Sequence, residues 1–304
     1  MRSPVSITDN PEKLVEQRER ISRTRGRIVI ACVAFVFLLA INIAAQRVAI
    51  VAPQKHARDS EYAELLTERL SASAKILDSS QSDTAFRSVS IRDFFNMDRD
   101  EAKATGTVMG CDYFVLVRTG AQRRSSFSRP DYYEAFAVHY VVSTRTGDLV
   151  SWFLKTFEAD GQVNADRALA DSVNDTAKEI ANKIRDASLV ERRAPSDIKI
   201  EEVPVADSPA ATNLKAPIPY RRIKPDYTSI AFLYDVRATI DIEADVDLDG
   251  RILATRIVRW AGYGLEESVE KAVRSMNWRP AMRDGKPLPM RVLLRYNFTK
   301  VDKE

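Results

Sequence analysis

The sequence predicts an α+β protein: an N-terminal transmembrane helix, a middle α+β domain, and a small C-terminal antiparallel three-stranded sheet with one packed helix. Three observations lead to this fold class. Residues 28–45 form an apolar run without a charge, residues 236–248 alternate between apolar and polar side chains, and residues 189–224 are rich in proline. These patterns are typical of a membrane helix, a strand with one buried face, and a linker, respectively.

Composition argues against most enzyme classes. The chain has 304 residues and a formal net charge of +3, so there is no global bias toward nucleic acid. Its histidines are His56 and His139, and its cysteines are Cys32 and Cys111. None has the sequence neighbours of a hydrolase triad or a zinc site, and no glycine-rich phosphate loop is present. We therefore expect no catalysis, no cofactor, no metal and no nucleic-acid partner.

Residues 28–45 are predicted to span a membrane. They contain one polar side chain, Asn42, and would form a helix about 27 Å long. Three arginines lie within the five residues before the run, whereas only Arg47 follows it closely. The positive-inside rule then places the polar tail, residues 1–27, in the cytoplasm and the rest of the chain across the membrane. We expect a single-pass protein that contacts the lipid bilayer through residues 28–45; a cleaved signal peptide is the alternative.

Residues 58–188 have the patterns of a compact α+β domain. Apolar residues recur at helical spacing in two segments and alternate in a hairpin around Thr146-Gly147-Asp148. His139 falls on the less hydrophobic side of this hairpin, so it is expected at the surface or half-buried. Residues 48–51 are interpreted as an extension of the membrane helix. The other predicted elements are a helix over 60–77, a strand over 86–91, helical or mixed structure over 92–109, a strand over 113–118, an exposed loop over 122–129, the hairpin over 132–144 and 149–157, and a helix over 164–187.

Two stretches of this middle domain resemble small α/β domains of periplasmic envelope proteins. Residues 110–116, with the sequence GCDYFVL, are similar to a Gly-x-Asp-Tyr-apolar strand in those proteins. Residues 143–152, with the sequence STRTGDLVSW, resemble their Thr-Gly hairpin. The proteins are the N-terminal domain of TolB and the curli-secretion lipoprotein CsgG. The resemblance implies a fold and no activity.

Residues 189–224 differ in composition from the segments on either side. They contain five prolines, with small and charged residues between them. Such a chain has little to bury, so we expect a semi-extended linker. At about 3 Å per residue, it would reach on the order of 100 Å at most.

Residues 225–304 are predicted to form the C-terminal sheet and helix. Seven apolar side chains alternate with six polar ones from Val236 to Leu248, which indicates a strand with one dry face. Asp249-Gly250 then favours a tight hairpin turn. The predicted elements are strands over 236–248, 252–260 and 290–298, and a helix over 265–276.

Three motifs in this region occur in the same order as in the C-terminal domain of TonB, the energy transducer of Gram-negative bacteria. They are Asp247-Leu248-Asp249-Gly250, Trp278-Arg279-Pro280-Ala281 and Asp284-Gly285-Lys286-Pro287. The region resembles that family, and the single N-terminal anchor also suits it. The resemblance implies a protein of the bacterial inner membrane with its bulk in the periplasm. The implied partner is an outer-membrane TonB-dependent receptor.

The last strand, residues 290–298, is the predicted partner-binding element. At the edge of a sheet its backbone N–H and C=O groups are unpaired, so it can accept an extended peptide as an added strand. Within it, Val292, Leu294 and Tyr296 are expected to pack under the helix rather than to contact the partner. By resemblance to the TonB family, the contact residues are Arg291, Val292, Leu293, Leu294, Arg295, Tyr296 and Asn297.

The predicted anchor departs from the TonB pattern. In that family the anchor carries a Ser and a His at helical spacing for coupling to the proton-driven ExbB–ExbD motor, and residues 28–45 contain neither. Two functions therefore stay open. One is a TonB-like transducer or tether that works with an ExbB/ExbD-like motor. The other is a non-energised envelope scaffold that uses the same fold for protein or cell-wall contact. A periplasmic enzyme is a third alternative.

Overall fold

The computed structural model describes residues 46–54, 56–127, 131–193 and 200–300. The predicted cytoplasmic tail (1–27) and membrane helix (28–45) lie outside these residues. Within the part of the chain that the structure describes, no helix is both long and apolar enough to cross a membrane. The described residues belong to one compact unit that begins at Gln46.

Five strands of the middle domain form one sheet. The strands are β1 (Arg47–Val51), β2 (Lys75–Ile76), β3 (Tyr113–Arg124), β4 (Tyr132–Ser143) and β5 (Leu149–Ala159). Their order across the sheet is β2-β1-β3-β4-β5. The first three strands in that order are parallel, and β3, β4 and β5 are antiparallel. Both faces of the sheet are covered, so β4 is almost entirely buried.

Five helices cover the two faces of this sheet. They are α1 (Ala57–Leu70), α2 (Ser79–Ser88), α3 (Arg99–Met109), α4 (Gln162–Asp171) and α5 (Val173–Arg193). Apolar residues of α1, α4 and α5 pack with Val115, Val117 and Val141 on one face. Residues of α2 and α3 pack with Phe114 and Tyr140 on the other. Each face is therefore a core of its own.

Two segments of the middle domain were predicted incorrectly. Residues 48–51 are not a helical extension but the strand β1, which lies between β2 and β3 and is buried. Its β-branched residues suit either a buried strand or an apolar helix, and the pairing with β3 decides between them. Residues 86–91 are not a strand, because helix α2 continues to Ser88. Asp78 caps the start of this helix, because its side chain accepts a hydrogen bond from the Gln81 N–H at 2.8 Å.

Other boundaries in the middle domain also differ. The helix predicted over 60–77 ends at Leu70, and β2 follows it. The helix predicted over 164–187 is two helices, with Ser172 between them. Strand β3 continues through Arg124, into the loop predicted over 122–129, because it pairs with β4 along its whole length. In each case the predicted boundary rested on periodicity alone, whereas the observed boundary depends on tertiary pairing or packing.

His139 lies in the core rather than at the surface as predicted. Its side chain has no exposed area, because helices cover the face of β4 that the sequence pattern marked as less hydrophobic. The imidazole Nε2 lies 3.1 Å from the hydroxyl of Tyr62, and the ring stacks on Phe153 at 4.6 Å. Burial lowers the pKa of His139 to about 3, so this side chain is neutral near pH 7.

The C-terminal region contains three long strands and two helices. The strands are β9 (Ala238–Val246), β10 (Ile252–Arg259) and β14 (Met290–Phe298), and the helices are α6 (Ser229–Leu233) and α7 (Leu265–Arg274). Both β10 and β14 pair with β9 in antiparallel fashion. Alternation places Ile240 and Ile242 on the buried face, where Leu265 and Val269 of α7 join the same core. The three predicted strands and the packed helix are therefore present.

This sheet has a fourth strand that the sequence did not predict. Strand β6 (Glu201–Glu202) pairs in parallel with Met290 and Arg291 of β14, which gives the order β10-β9-β14-β6. A strand of two residues has no periodicity to detect, so the prediction of three strands was wrong on this point.

Of the segment predicted as a linker over 189–224, the first five residues belong to helix α5, and the described residues 200–224 lie along the C-terminal region. Besides β6 it contains β7 (Leu214–Lys215) and β8 (Ile218–Pro219). These pair with two short strands near the C-terminus, β12 (Ala281–Arg283) and β11 (Trp278–Arg279), and β12 also pairs with β13 (Lys286–Leu288). This segment is held by main-chain hydrogen bonds and has few apolar side chains to bury. The lack of apolar residues therefore led to the wrong prediction that it does not pack.

The middle and C-terminal regions share one hydrophobic core. The cluster that contains Phe114 and Tyr140 of the first sheet continues through Trp260 to Ile242 of the second. The sequence predicted domains over 58–188 and 225–304 with a linker between them. The contact between the two regions depends on side chains in loops, such as Trp260, which carry no periodic signal.

Candidate functional site

Strand β14, the predicted partner-binding element, has one buried and one exposed face. Leu294 and Tyr296 are buried, and Val292 is half-buried against the same core, so these three side chains point inward as predicted. Leu293 and Arg295 point the other way and are exposed. The exposed side chains therefore lie on the face of the sheet that is remote from the core.

The backbone of β14 also alternates in direction. The carbonyl oxygen of Arg291 accepts a hydrogen bond from the N–H of Val203, at 3.0 Å, on the side away from β9. Because the N–H and C=O of one residue point the same way and successive residues alternate, the same groups of Leu293, Arg295 and Asn297 point outward as well. The residues between them direct their groups to β9, with which β14 pairs over its full length.

The outer edge of β14 is closed at one end only. Strand β6 covers Met290 and Arg291, and Arg283 holds it there through an ion pair with Glu201. Strand β6 ends at Glu202, and the chain leaves β14 after the hydrogen bond from Val203. Among the described residues no strand pairs with the outer side of β14 from Leu293 to Asn297. This open stretch is called the free edge below.

Two arginines of β14 are fixed on the exposed face of the sheet. Arg291 makes two hydrogen bonds to Asp245, at 2.6 and 2.9 Å, and Arg295 makes two to Asp241, at 2.7 and 2.9 Å. Both aspartates are buried. These hydrogen bonds to a carboxylate raise the pKa of both guanidinium groups. Because the arginines are occupied, Leu293, which is 55% exposed, is the apolar side chain that the free edge presents.

Residues of the middle domain contact β9, the strand that pairs with β14, and its other neighbour, β10. The side chain of Asn96 accepts a hydrogen bond from the Thr239 N–H at 2.9 Å and donates to the Thr239 and Trp260 carbonyl oxygens at 2.8 Å each. Arg259 of β10 contacts Asp98 at 2.7 Å and Glu101 at 3.2 Å. Sequence reasoning missed these residues, because polar side chains in a loop carry no periodic signal.

A second set of contacts joins the two regions beyond β10. The hydroxyl of Tyr140 donates to the carbonyl oxygen of Ala261 at 3.0 Å, and the rings of Trp152 and Tyr263 lie 4.6 Å apart. Gly262 has a φ of +77°, and a Cβ there would come within 2.3 Å of the Trp152 ring. Gly262 belongs to the turn Gly262-Tyr263-Gly264, which lies between β10 and α7. In the structure this turn packs against Trp152 of the first sheet.

The C-terminal region matches a known family. Residues 224–299 match the family model described as Gram-negative bacterial TonB protein C-terminal. The resemblance predicted from the three motifs is therefore confirmed, and this chain is TonB-like in its C-terminal region. A comparison with curated proteins finds no match.

Solved structures provide further likenesses. The chain is similar to the solution NMR structure of the TonB C-terminal domain of Pseudomonas aeruginosa, at 18% identity and a TM-score of 0.25, with 31% of this chain and 91% of that chain covered. It is also similar to lipoprotein GNA1162 from Neisseria meningitidis, at 13% identity and a TM-score of 0.31, with 45% and 99% covered. A third is lipoprotein B from Nitrosomonas europaea, at 13% identity and a TM-score of 0.27, with 51% and 93% covered.

Proposed function

We propose that this protein is an envelope transducer or tether that captures an extended segment of a partner protein by β-strand addition along the free edge. It performs no chemistry. The observation that carries the proposal is the free edge itself: outward backbone groups from Leu293 to Asn297, beside a strand that closes only Met290 and Arg291.

The free edge can bind such a segment and fix its position along β14. Leu293, Arg295 and Asn297 each present one donor and one acceptor, and each hydrogen bond made contributes roughly 0.5–1.5 kcal/mol net. Covering Leu293 adds about 1–2 kcal/mol from apolar burial. The main chain of β14 stays fixed through its pairing with β9, so the edge loses little conformational entropy when a strand is added.

The match to the TonB family supports an outer-membrane receptor as the class of partner. In this proposal the chain is a single-pass protein of the bacterial inner membrane. Residues 28–45 lie in the lipid bilayer, residues 1–27 in the cytoplasm and the rest in the periplasm. The middle domain acts as a spacer and platform, since its contacts with Thr239 and Arg259 support the sheet that carries the free edge.

Two versions of this function differ in the source of energy. In the first, an ExbB/ExbD-like motor acts on residues 28–45 and the chain transmits force to the captured segment. In the second, the chain is a non-energised scaffold with the same free edge. The lack of His in residues 28–45 favours the scaffold. Photo-cross-linking from positions along residues 28–45 separates the two: adducts with ExbB- or ExbD-like proteins support the transducer, and their absence leaves the scaffold.

The proposed capture is tested with the full chain in detergent micelles and a displayed library of random heptapeptides. Selected peptides are resynthesised, and their binding is measured by fluorescence anisotropy. Leu293→Pro removes an outward N–H, so it should abolish binding while the protein stays folded. The matched control is Leu253→Pro on β10, an exposed position on the opposite edge of the same sheet that has no residue paired with it on β9. The control should bind as the wild type does.

Two results would overturn capture at the free edge. The first is that the wild-type protein selects no peptide above background, although its fold is intact. Alternatively, Leu293→Pro could bind the selected peptides as tightly as Leu253→Pro does.

A further inference from the structure

A polar cleft lies at the Asn297 end of the free edge. Its volume is about 610 Å³, and it lies between the middle domain and the C-terminal sheet. Arg92 and Asn96 line it from the middle domain, and Arg237 and Asn297 line it from the C-terminal region. A segment added along the free edge would therefore end beside this cleft.

The arginines that line the cleft differ in their partners. Arg295 is bound by Asp241, and Arg259 is bound by Asp98 and Glu101. Arg92 and Arg237 are exposed, and within the described part of the chain neither has an ion pair. The cleft therefore contains two guanidinium groups that make no ion pair among the described residues.

One carboxylate near these two arginines has a local role. Asp93 also lines the cleft, but its Oδ1 accepts a hydrogen bond from the Phe95 N–H at 3.0 Å, which fixes the loop. It cannot compensate both guanidinium groups. Arg92 and Arg237 are therefore the guanidinium groups of the cleft with which an incoming anion can pair.

We propose that the cleft receives an acidic side chain from the end of the captured segment that lies beside Asn297, and that Arg92 and Arg237 bind its carboxylate. The proposal rests on capture at the free edge and adds the chemistry of the segment. Guanidinium groups suit this role because their planar forks donate two parallel hydrogen bonds to a carboxylate. One of the two arginines comes from the middle domain, so the site exists only because the two regions are docked.

The charges at the other end of the free edge have the opposite sign. There β6 carries Glu201 and Glu202, and the outward carbonyl of Arg291 is already bonded to Val203. Glu201 is paired with Arg283, whereas Glu202 is exposed. An acidic end is disfavoured beside Glu202 and favoured beside Arg92 and Arg237, so the charges select the direction in which the segment lies.

The test uses the heptapeptide selection on the full chain in detergent micelles. Selected peptides should carry Asp or Glu at one end and not at the other. Each such peptide is resynthesised with Gln or Asn in place of the acid, and both forms are titrated by fluorescence anisotropy. The double variant Arg92→Gln/Arg237→Gln should weaken binding of the acidic form on the order of fivefold, since exposed pairs contribute little each, and leave the amide form unchanged.

A charge-matched control separates this effect from a general loss of positive charge. Arg167→Gln/Arg192→Gln removes two exposed arginines from α4 and α5, which cover the opposite face of the first sheet. This variant should bind both peptide forms as the wild type does. A selection that shows no acidic preference, or an equal loss in the two double variants, overturns the role of the cleft. Because Leu293→Pro tests capture separately, a failure of the cleft is distinguishable from a failure of the free edge.

Discussion

The two edges of the C-terminal sheet are built differently. Strand β10 has register shifts at two points in its pairing with β9, and its last residue, Arg259, forms an isolated bridge with Asp98 of the middle domain. Strand β14 pairs with β9 in an unbroken register from Met290 to Phe298. Irregularities and covering groups are the means by which natural sheets discourage further pairing. The difference indicates that one edge is protected against added strands and the other is left regular enough to accept one.

The same comparison extends to side chains. On β10, the guanidinium of Arg259 is held by three carboxylates, those of Asp98, Glu101 and Asp241. On β14, Arg291 and Arg295 are held by Asp245 and Asp241 of β9, the strand on the side away from the free edge. The ion pairs of β10 therefore join it to the middle domain, whereas those of β14 join it to the neighbouring strand β9.

The largest effect is expected from proline substitutions at adjacent positions of β14. At Leu294 the N–H points to β9 and the side chain is 6% exposed, so Leu294→Pro should lower the free energy of unfolding by about 3 kcal/mol or more. Leu293→Pro, one residue away, should cost much less, because its N–H points outward. Chemical denaturation of the two variants measures the difference. Equal losses would contradict the assignment of the free edge.

An intermediate effect is expected from removing the side chain that holds β9. Asn96→Ala would leave the N–H of Thr239 and two carbonyl oxygens without their partner, which should cost about 2–3 kcal/mol. Hydrogen exchange at Thr239 should accelerate, while exchange in the middle of β14 changes less. Asn182→Ala, at an exposed position of α5, is the matched control and should be near neutral. An equal rise in exchange along β9 and β14 would show that the hydrogen bonds of Asn96 do not act on β9 in particular.

A smaller effect is expected from acid, which tests whether the two edges belong to one cooperative unit. Burial lowers the pKa of His139 to about 3, below its unfolded value of about 6.5, so the unfolded chain binds the proton more readily between these values. Stability from this group is complete above about pH 6.5 and is lost as the pH falls toward 3. From pH 7 to pH 5 the free energy of unfolding should fall by about 2 kcal/mol.

The measurement for this prediction is chemical denaturation as a function of pH. The variant His139→Phe, which keeps a ring beside Phe153, should remove this part of the slope. Protection of both edges should fall together in hydrogen exchange, because the two sheets share a core. If only the first sheet loses protection in acid, the two regions unfold separately.

Elements with a strong local pattern were predicted well. The alternation over 236–248 became β9, the strand predicted over 290–298 became β14, and the three motifs led to the TonB-like assignment that the family match confirmed. The resemblance of residues 110–116 and 143–152 to TolB and CsgG remains a prediction about the middle domain. Elements that depend on distant partners were predicted poorly. Strand β1 was taken for helix, since an apolar run of this length fits either state until β3 lies beside it.

The residues around the free edge show the same division. Alternation alone indicated that Val292, Leu294 and Tyr296 pack inward, because side-chain direction in a strand follows from position. It did not indicate Glu201 and Val203, which close one end of the edge, nor Arg92, which lines the cleft at the other. These residues are far from β14 in sequence and belong to segments without periodicity.

The sequence by itself determined that residues 238–246 and 290–298 are strands with one apolar face, since period-two patterning is a local property of the chain. Only the tertiary structure decided which backbone groups of β14 remain unpaired and that the middle domain packs against the same sheet. The hydrogen-bond partner of a strand is chosen from the whole chain, so no local pattern records it. The free edge is therefore a property of the assembled fold, whereas the strand that carries it is already evident in the sequence.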